Sequence, residues 1–426
     1  MTFLLYFGIP VLLLCLGIPI YVILLLTAII GVAATPGLPL SAMQTVIFGS
    51  LDSFPLLALP LFVLAGDIMG QGGLAMRMVA WATSLIGGIR GSLALTTIAS
   101  SELFGTMSGS ALGCVAAIGR LLFPSLRDAG YGLSFSSGII ASSGAIAVII
   151  PPSIPMIIYG ISAQQSIPAL FLAGVVPGLL IGVIASIYVL VYARLKVIPV
   201  TSKARWKNIV QSTREASWSL GAPVVILGGI YGGIFTPTEA AGVAVVYAAL
   251  VSRYVYRDVS WADLWRIAQN SMYLVAQLMM IIAGAGAYSW LITTSGLPQS
   301  IVASIGVLHL ETWVLLLAFN VVLLVVGSIL EPPAAILMLT PLFLPLVQAA
   351  GIDLIHFGII MTVNLAIGMF TPPFGLNLFA AHALFRVPLP TLYRGVLPFM
   401  AAYIVALMLI TYLPIISLAP LALLKP

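Results

Sequence analysis

The residues of this sequence that could do chemistry are mostly backbone. Two Pro-Pro pairs, Pro151-Pro152 and Pro372-Pro373, sit 221 residues apart inside apolar stretches. Proline has no N–H and clashes with the preceding turn, so each pair must end one half-helix and start another. Two further apolar stretches, 91–128 and 312–350, carry central breaks at Gly105-Thr-Met-Ser-Gly-Ser110 and Gly327-Ser-Ile-Leu-Glu-Pro-Pro333. Half-helices that begin near Ser110, Pro152, Pro332 and Pro373 point positive dipole ends inward, which suits an anionic substrate group. Those that end near Gly105, Ala147, Gly327 and Gly368 leave carbonyl oxygens free, which suits a small hard cation such as Na⁺. The expectation is two cation sites made of backbone, one in each half of the chain.

Few side chains join them. Ser108 and Ser110 either touch substrate or cation or cap the following helix, and the two roles are compatible. Glu331 lies at the second break, where an intramembrane acid is a functional candidate; the alternative is a carboxylate stabilising the helix start at Pro332. Glu102 and Arg120 stand at similar depth on opposite arms of the first stretch, and a structural ion pair is expected, because a buried charge needs a partner. Thr236-Pro-Thr-Glu239 fits a capping box with Pro in the first turn, so Glu239 is expected to be structural. Asp67, near a span end, is expected to be solvated. Asn364 and Asn377 flank the second Pro-Pro pair, where their amides can satisfy free backbone. His309, His356 and His382 have no metal-ligand spacing, and Cys15 and Cys114 sit in apolar runs that argue against a disulfide. No Gly-x-x-x-x-Gly-Lys-Ser/Thr phosphate loop occurs.

The elements that position these residues follow from composition. Of 426 residues, 62% are hydrophobic and 6% charged, with a mean hydropathy of +1.21. Soluble domains carry about 25% charged residues, so a soluble enzyme, a nucleic-acid binder and a disordered chain are excluded. A spanning helix needs about 20 apolar residues. Such stretches lie near 3–31, 54–71, 132–162, 168–193, 218–235, 238–252, 271–293, 355–385 and 396–420. Residues 1–30 lack the basic start of a cleaved signal peptide and read as a retained span. Arg194, Lys196, Lys203, Arg205, Lys207 and Arg214 form a basic cluster placed in the cytoplasm, and counting outward puts Arg127, Arg253, Arg266, Arg386 and Arg394 on the same side. Only Lys425 falls outside. The pattern gives nine crossings plus two re-entrant hairpins, with the N-terminus in the cytoplasm and the C-terminus in the periplasm; two full spans per stretch would give the same sidedness. Segments 38–52, 74–88, 206–211 and 260–269 are expected to lie along the membrane surface.

A shift of 221 also pairs Pro124 with Pro345, Gly130 with Gly351, Gly174 with Gly395 and Pro177 with Pro398. The copies run in opposite orientations by the topology count. Interrupted helices paired in inverted repeats mark the binding site of a secondary transporter. The fold class is therefore an all-α polytopic membrane protein, an inverted-repeat transporter. The hairpins and broken spans, 91–162 and 312–386, form a transport unit; 1–90, 163–311 and 387–426 form a scaffold. A membrane-embedded enzyme would need converging His, Asp or metal ligands, and a channel would not need two opposed broken hairpins.

Four strings resemble the large membrane subunit of the tripartite ATP-independent periplasmic (TRAP) transporters: Ser108-Gly-Ser110…Val115-Ala-Ala-Ile-Gly119, Ile150-Pro-Pro-Ser-Ile-Pro155, Gly229-Ile-Tyr-Gly-Gly-Ile-Phe-Thr-Pro-Thr-Glu-Ala-Ala241 and Gly368-Met-Phe-Thr-Pro-Pro-Phe-Gly-Leu-Asn377. The resemblance covers essentially the whole chain. It implies a bacterial inner-membrane protein that imports an organic acid by an elevator motion, with Na⁺ as coupling ion and no other cofactor. The implied partners are a small four-helix membrane subunit and a periplasmic substrate-binding protein, within the lipid bilayer. Carried onto matching positions, a first Na⁺ site would use Gly105, Ser108, Ala147, Ile150 and Pro152; a second would use Gly327, Gly368, Thr371 and Phe374. Ser108, Ser110, Ser153, Glu331 and Asn377 are the substrate-binding candidates. Ala147 stands where the family often has Gly. A stand-alone divalent-anion/sodium symporter is the alternative of the same mechanism, and the Thr-Pro-Thr-Glu string argues against it.

Overall fold

The computed structural model describes residue 6 and residues 8–35, 38–200, 205–307 and 310–424. Lys203, His309 and Lys425 lie outside them. The described residues hold helices and no strand. In chain order, α1 (Ile9–Cys15), α2 (Ile20–Ala34), α3 (Leu40–Leu51), α4 (Ala58–Gln71) and α5 (Leu74–Ile86) precede a hairpin of α6 (Ser92–Ser108) and α7 (Ala111–Asp128). A broken helix follows, α8 (Leu133–Gly144) and α9 (Ile154–Ser162), and then α10 (Ile167–Leu195). After α11 (Trp206–Tyr231) the pattern returns: α12 (Pro237–Leu250), α13 (Trp261–Thr294) and α14 (Leu297–Val307) lead to a second hairpin, α15 (Thr312–Gly327) and α16 (Pro332–Ala349). A second broken helix, α17 (Leu354–Gly368) and α18 (Leu376–Phe385), is followed by α19 (Leu389–Tyr412) and α20 (Ile415–Leu418).

Among the described residues, five helical segments are long and apolar enough to cross a membrane: Phe54–Gln71, Ile167–Leu195, Trp261–Thr294, Pro332–Ala349 and Leu389–Tyr412. The two broken helices run in pieces of 9–15 residues, short of the span length expected of an unbroken helix. The stretch expected as one span at 3–31 is also two helices. Gly17, at φ +75°, and Pro19 separate α1 from α2, since Pro19 cannot continue the hydrogen-bond ladder. Conversely, the amphipathic starts at 206 and 260 are not separate surface helices. Each continues into the span behind it, giving helices of 26 and 34 residues, because no helix-breaking pair intervenes.

The 221-residue spacing recurs in the helix bounds. Adding 221 to the ends of α7 gives the ends of α16, and both Pro-Pro bonds are cis. Packing is reciprocal as well. α2 lies on α13 as α12 lies on α4; α9 lies on α16 as α18 lies on α7; α8 lies on α19 as α10 lies on α17. Each half thus supplies the surface that its counterpart lacks. One continuous apolar core runs through both halves, while Val183, Ile187 and Val191 on α10 face outward, as lipid-facing residues do. Trp206, Trp261 and Trp265 are exposed beside Arg205, Lys207 and Arg266, the residue mix of a membrane interface.

Candidate binding site at the hairpin tips and broken helices

Each hairpin tip abuts the broken helix of its own half. A Cβ added to Gly105 would lie 2.7 Å from the Cα of Ala147, and one added to Gly368 would lie 2.6 Å from the Cα of Gly327. Such spacing admits backbone and nothing larger. At the first tip the chain turns at Gly109, whose φ of +57° favours glycine. Ser110 then caps α7, its Oγ accepting from the Gly113 N–H at 3.2 Å, while the buried Ser108 Oγ accepts from the Ser110 N–H at 3.4 Å. The capping reading of these serines is realised in the geometry.

The broken helices dispose of their carbonyls differently. Pro151 and Pro152 offer no N–H to Ala147 and Val148, the carbonyls four residues back. Val148 O is satisfied by the hydroxyl of Ser153, which also accepts from Met156 N–H and so caps α9. In the second loop Gly368 O accepts from Thr371 N–H at 3.0 Å and Met369 O from Asn377 N–H at 2.8 Å. Thr371 is also engaged: its hydroxyl donates to Ile367 O at 2.8 Å and its carbonyl accepts from Gly375 N–H at 3.0 Å. Gly105 O accepts from Gly109 N–H at 3.2 Å. The expectation of free carbonyls is therefore corrected for Gly105 and Gly368, and the Thr371 carbonyl is bonded in the same way. Each carries one hydrogen bond and keeps its second lone pair for a ligand.

A cavity of about 300 Å³ lies over the tips. Ser110 and Glu331 line it together, with Gly109, Met369, Tyr21 of α2 and Gln277 of α13. Ser108, Ser153 and Asn377 do not line it; they are buried in the hydrogen bonds beneath, and Asn377 Nδ2 donates to Ala141 O of α8 at 2.9 Å. Ile150 and Pro152 are buried, and Phe374 is 57% exposed. Gln277 was missed in the sequence reading, and its signal was there: a lone amide within the apolar run 271–293. Among the described residues no group of His, Cys, Asp or Glu could hold a metal. A cation here would rest on carbonyl and hydroxyl oxygens.

Two charged expectations are corrected. Glu102 and Arg120 form no ion pair. Glu102 turns toward Gly182 of α10, whereas Arg120 faces a separate cavity beside α4, because the two arms present these residues on different sides. Asp67 is half-buried and accepts from the Ser271 hydroxyl at 2.6 Å. Glu239 forms the capping box, accepting from Thr236 N–H at 2.8 Å while its own N–H reaches Thr236 Oγ1 at 3.3 Å. Asn364 Nδ2 donates to Ile360 O and to Asn320 Oδ1; Asn320 reaches Thr411, and His356 bonds Ser417 and the Thr411 carbonyl. This buried network was not read from sequence.

Paired hairpins on paired broken helices define a membrane transporter permease, and the comparisons agree. Residues 7–416 match the family described as "Tripartite ATP-independent periplasmic transporter, DctM component", and the chain belongs to that family. It is the large permease subunit of a TRAP transporter and not an enzyme. The chain is 42% identical over 373 residues to the C4-dicarboxylate TRAP transporter large permease protein DctM of Pseudomonas aeruginosa, covering 88% of this chain and 87% of that one. It is 40% identical over 409 residues to the ectoine TRAP transporter large permease protein TeaC of Halomonas elongata, covering 95% and 96%. In fold it resembles the crystal structure of the Alcanivorax borkumensis YdaH transporter, with a TM-score of 0.61 at 15% identity over 95% of this chain and 98% of that one.

Proposed function

We propose that this permease imports an organic acid across the bacterial inner membrane, driven by Na⁺, by an elevator motion of the hairpins and broken helices. The observation that carries the reading is the meeting of each hairpin tip with a broken helix at backbone distance, at Gly105–Ala147 and Gly327–Gly368. Carbonyls concentrated there suit Na⁺; the N-terminal ends of α7 and α16, beside the cavity, suit an anion. Ser110 and Glu331 contact the substrate from the tips and Gln277 from the scaffold. Relatives named for C4-dicarboxylate and ectoine transport support an organic acid as the substrate class.

Reciprocal packing supports an inverted repeat, with Arg127, Arg194, Arg214, Arg266 and Arg394 toward the cytoplasm. The moving unit in this reading also takes in α10 and α19. α10 packs on α6, α9 and α17, α19 packs on α8 and α17, and the Asn320–Thr411 bond ties α15 to α19. These helices travel with the hairpins, leaving α2–α5 and α11–α14 as the scaffold that binds a small membrane subunit. A periplasmic binding protein delivers the substrate.

The test is uptake by proteoliposomes holding the permease with its small subunit, supplied with the loaded binding protein. Uptake should require an inward Na⁺ gradient and ignore ATP. Equal uptake with K⁺ replacing Na⁺ at matched membrane potential defeats the coupling, and robust uptake by the permease alone defeats the partner requirement.

A further inference from the structure

A second cavity, of about 600 Å³, separates α7 from the scaffold. Ala117 and Arg120 line its hairpin wall; Gly66, Asp67, Gly70 and Asp258 line the opposite wall. Asp258 is occupied by Arg77 at 2.6 Å, and Asp67 Oδ2 by the Ser271 hydroxyl at 2.6 Å. Arg120 is exposed and has no ion pair or hydrogen bond among the described residues. A cation on the hairpin thus faces an acid on the scaffold across this cavity, within a protein that has few charges to spend inside the membrane.

The register of the first hairpin on α4 holds them apart. A Cβ on Gly66 would lie 2.7 Å from Ser108 Cβ, and one on Gly70 would lie 3.7 Å from Ala117 Cβ. At both points α4 presents no side chain, so the hairpin rests on a smooth strip. Arg120 sits about one turn beyond Ala117, away from the tip; Asp67 sits about one turn before Gly70, toward it. Sliding α7 along α4 by about two turns, roughly 10 Å, brings Arg120 level with Asp67. The equivalent cavity in the other half, of about 460 Å³, is lined by Leu337, Pro341, Gly286 and Ser289, with Pro341 at the position 221 residues after Arg120 and no charged residue in its walls. The charge pair exists on one side only.

We propose that Arg120 and Asp67 form a latch in the transport state opposite to this one: the guanidinium seats on Asp67 Oδ1, which Ser271 leaves free, and closes the cleft. The latch rests on the elevator reading and names a control of that motion. An ion pair in a partly hydrated cleft shifts such a balance by up to about fivefold.

The test uses the permease with its small subunit in proteoliposomes, in a Cys15→Ser, Cys114→Ser background. A reporter pair, Val63→Cys with Ala117→Cys, lies two turns out of register here and meets after the slide. Its cross-linking by a short bifunctional thiosulfonate reads the shifted state. Arg120→Gln should lower that cross-linking up to about fivefold. Arg120→Lys should keep most of it, and the exchange Arg120→Asp with Asp67→Arg should recover it. If the reporter never cross-links, the slide and the latch both fall. If it cross-links equally in wild type and in Arg120→Gln, with subunit assembly intact, the elevator reading stands and the latch falls.

Discussion

Asn377 of the second broken helix donates its Nδ2 to the carbonyl of Ala141 in the first, at 2.9 Å, with both groups buried. This bond joins the two halves directly behind the hairpin tips. Asn377→Ala leaves a buried carbonyl without its donor, a loss of about 1–3 kcal/mol. The purified complex should melt at lower temperature, and Asn377→Gln should not rescue it, because the longer side chain overshoots. An unchanged melting point would show that the bond contributes nothing.

Gly105 and Ala147 form an asymmetric pair whose two members should respond differently. Gly105→Ala drives a methyl against Ala147 Cα, which a 2.7 Å approach does not admit. Transport should fall severely while the subunits still assemble. Ala147→Gly should be tolerated, since Gly368 occupies the equivalent place in the other half. Uptake measured on both variants decides it; equal effects would mean that the tip does not bear on the broken helix in the working cycle.

Thr371→Val removes a hydroxyl whose hydrogen is already given to Ile367 O. If the carbonyl is the cation ligand, the Na⁺ concentration for half-maximal uptake should stay close to that of the wild type. A tenfold rise, about 1.4 kcal/mol, would assign the hydroxyl oxygen to the site instead. Gly368→Pro is the harsher companion, because it fixes the backbone on which the carbonyl depends; a folded variant with normal Na⁺ dependence would displace the second site altogether.

Ser110 and Glu331 share the cavity wall and should separate by size and charge. Ser110→Ala loses a cap worth about 1 kcal/mol together with a hydroxyl at the substrate, and should weaken uptake without abolishing it. Ser110→Leu fills the cavity and should abolish uptake at normal expression. Glu331→Gln keeps the shape and should cut uptake strongly. Binding of substrate to the detergent-solubilised complex, followed by calorimetry, separates a lost contact from a lost motion.

How far these positions were legible depended on how local their cause is. Pro-Pro pairs, the Thr236–Glu239 box and the 221-residue shift act within a few residues or repeat along the chain, so the breaks, the cap and the paired hairpins could be read directly. Glu102 and Arg120 could not. Similar depth on two arms says nothing about which face each arm turns to its neighbours, and α10 and α4 decide that. The network from His356 through Thr411 and Asn320 to Asn364 joins residues up to 91 apart, each unremarkable in its own helix. The carbonyls of Gly105, Gly368 and Thr371 each carry one hydrogen bond from an N–H three or four residues further on, in turns that no periodicity specifies. The packing of α10 on α17 and of α19 on α8 joins elements far apart in the chain, and no local pattern announces it.

The reciprocal seating of α2 on α13, α12 on α4, α9 on α16 and α18 on α7 has a consequence for how the molecule is made. Synthesis proceeds from the N-terminus, so the first half enters the bilayer with α4 and α7 still uncovered and with α2 and α9 still unseated. Contacts this distant in sequence form late and slowly. Until they do, the nascent chain carries unfilled seams and fragments such as α9, nine residues long, too short to hold a transmembrane position alone. Biogenesis of this permease is therefore a wait for the second half, and a ribosome that stalls before α12 leaves a membrane-bound fragment that has no closed core and is a natural target for quality-control proteolysis.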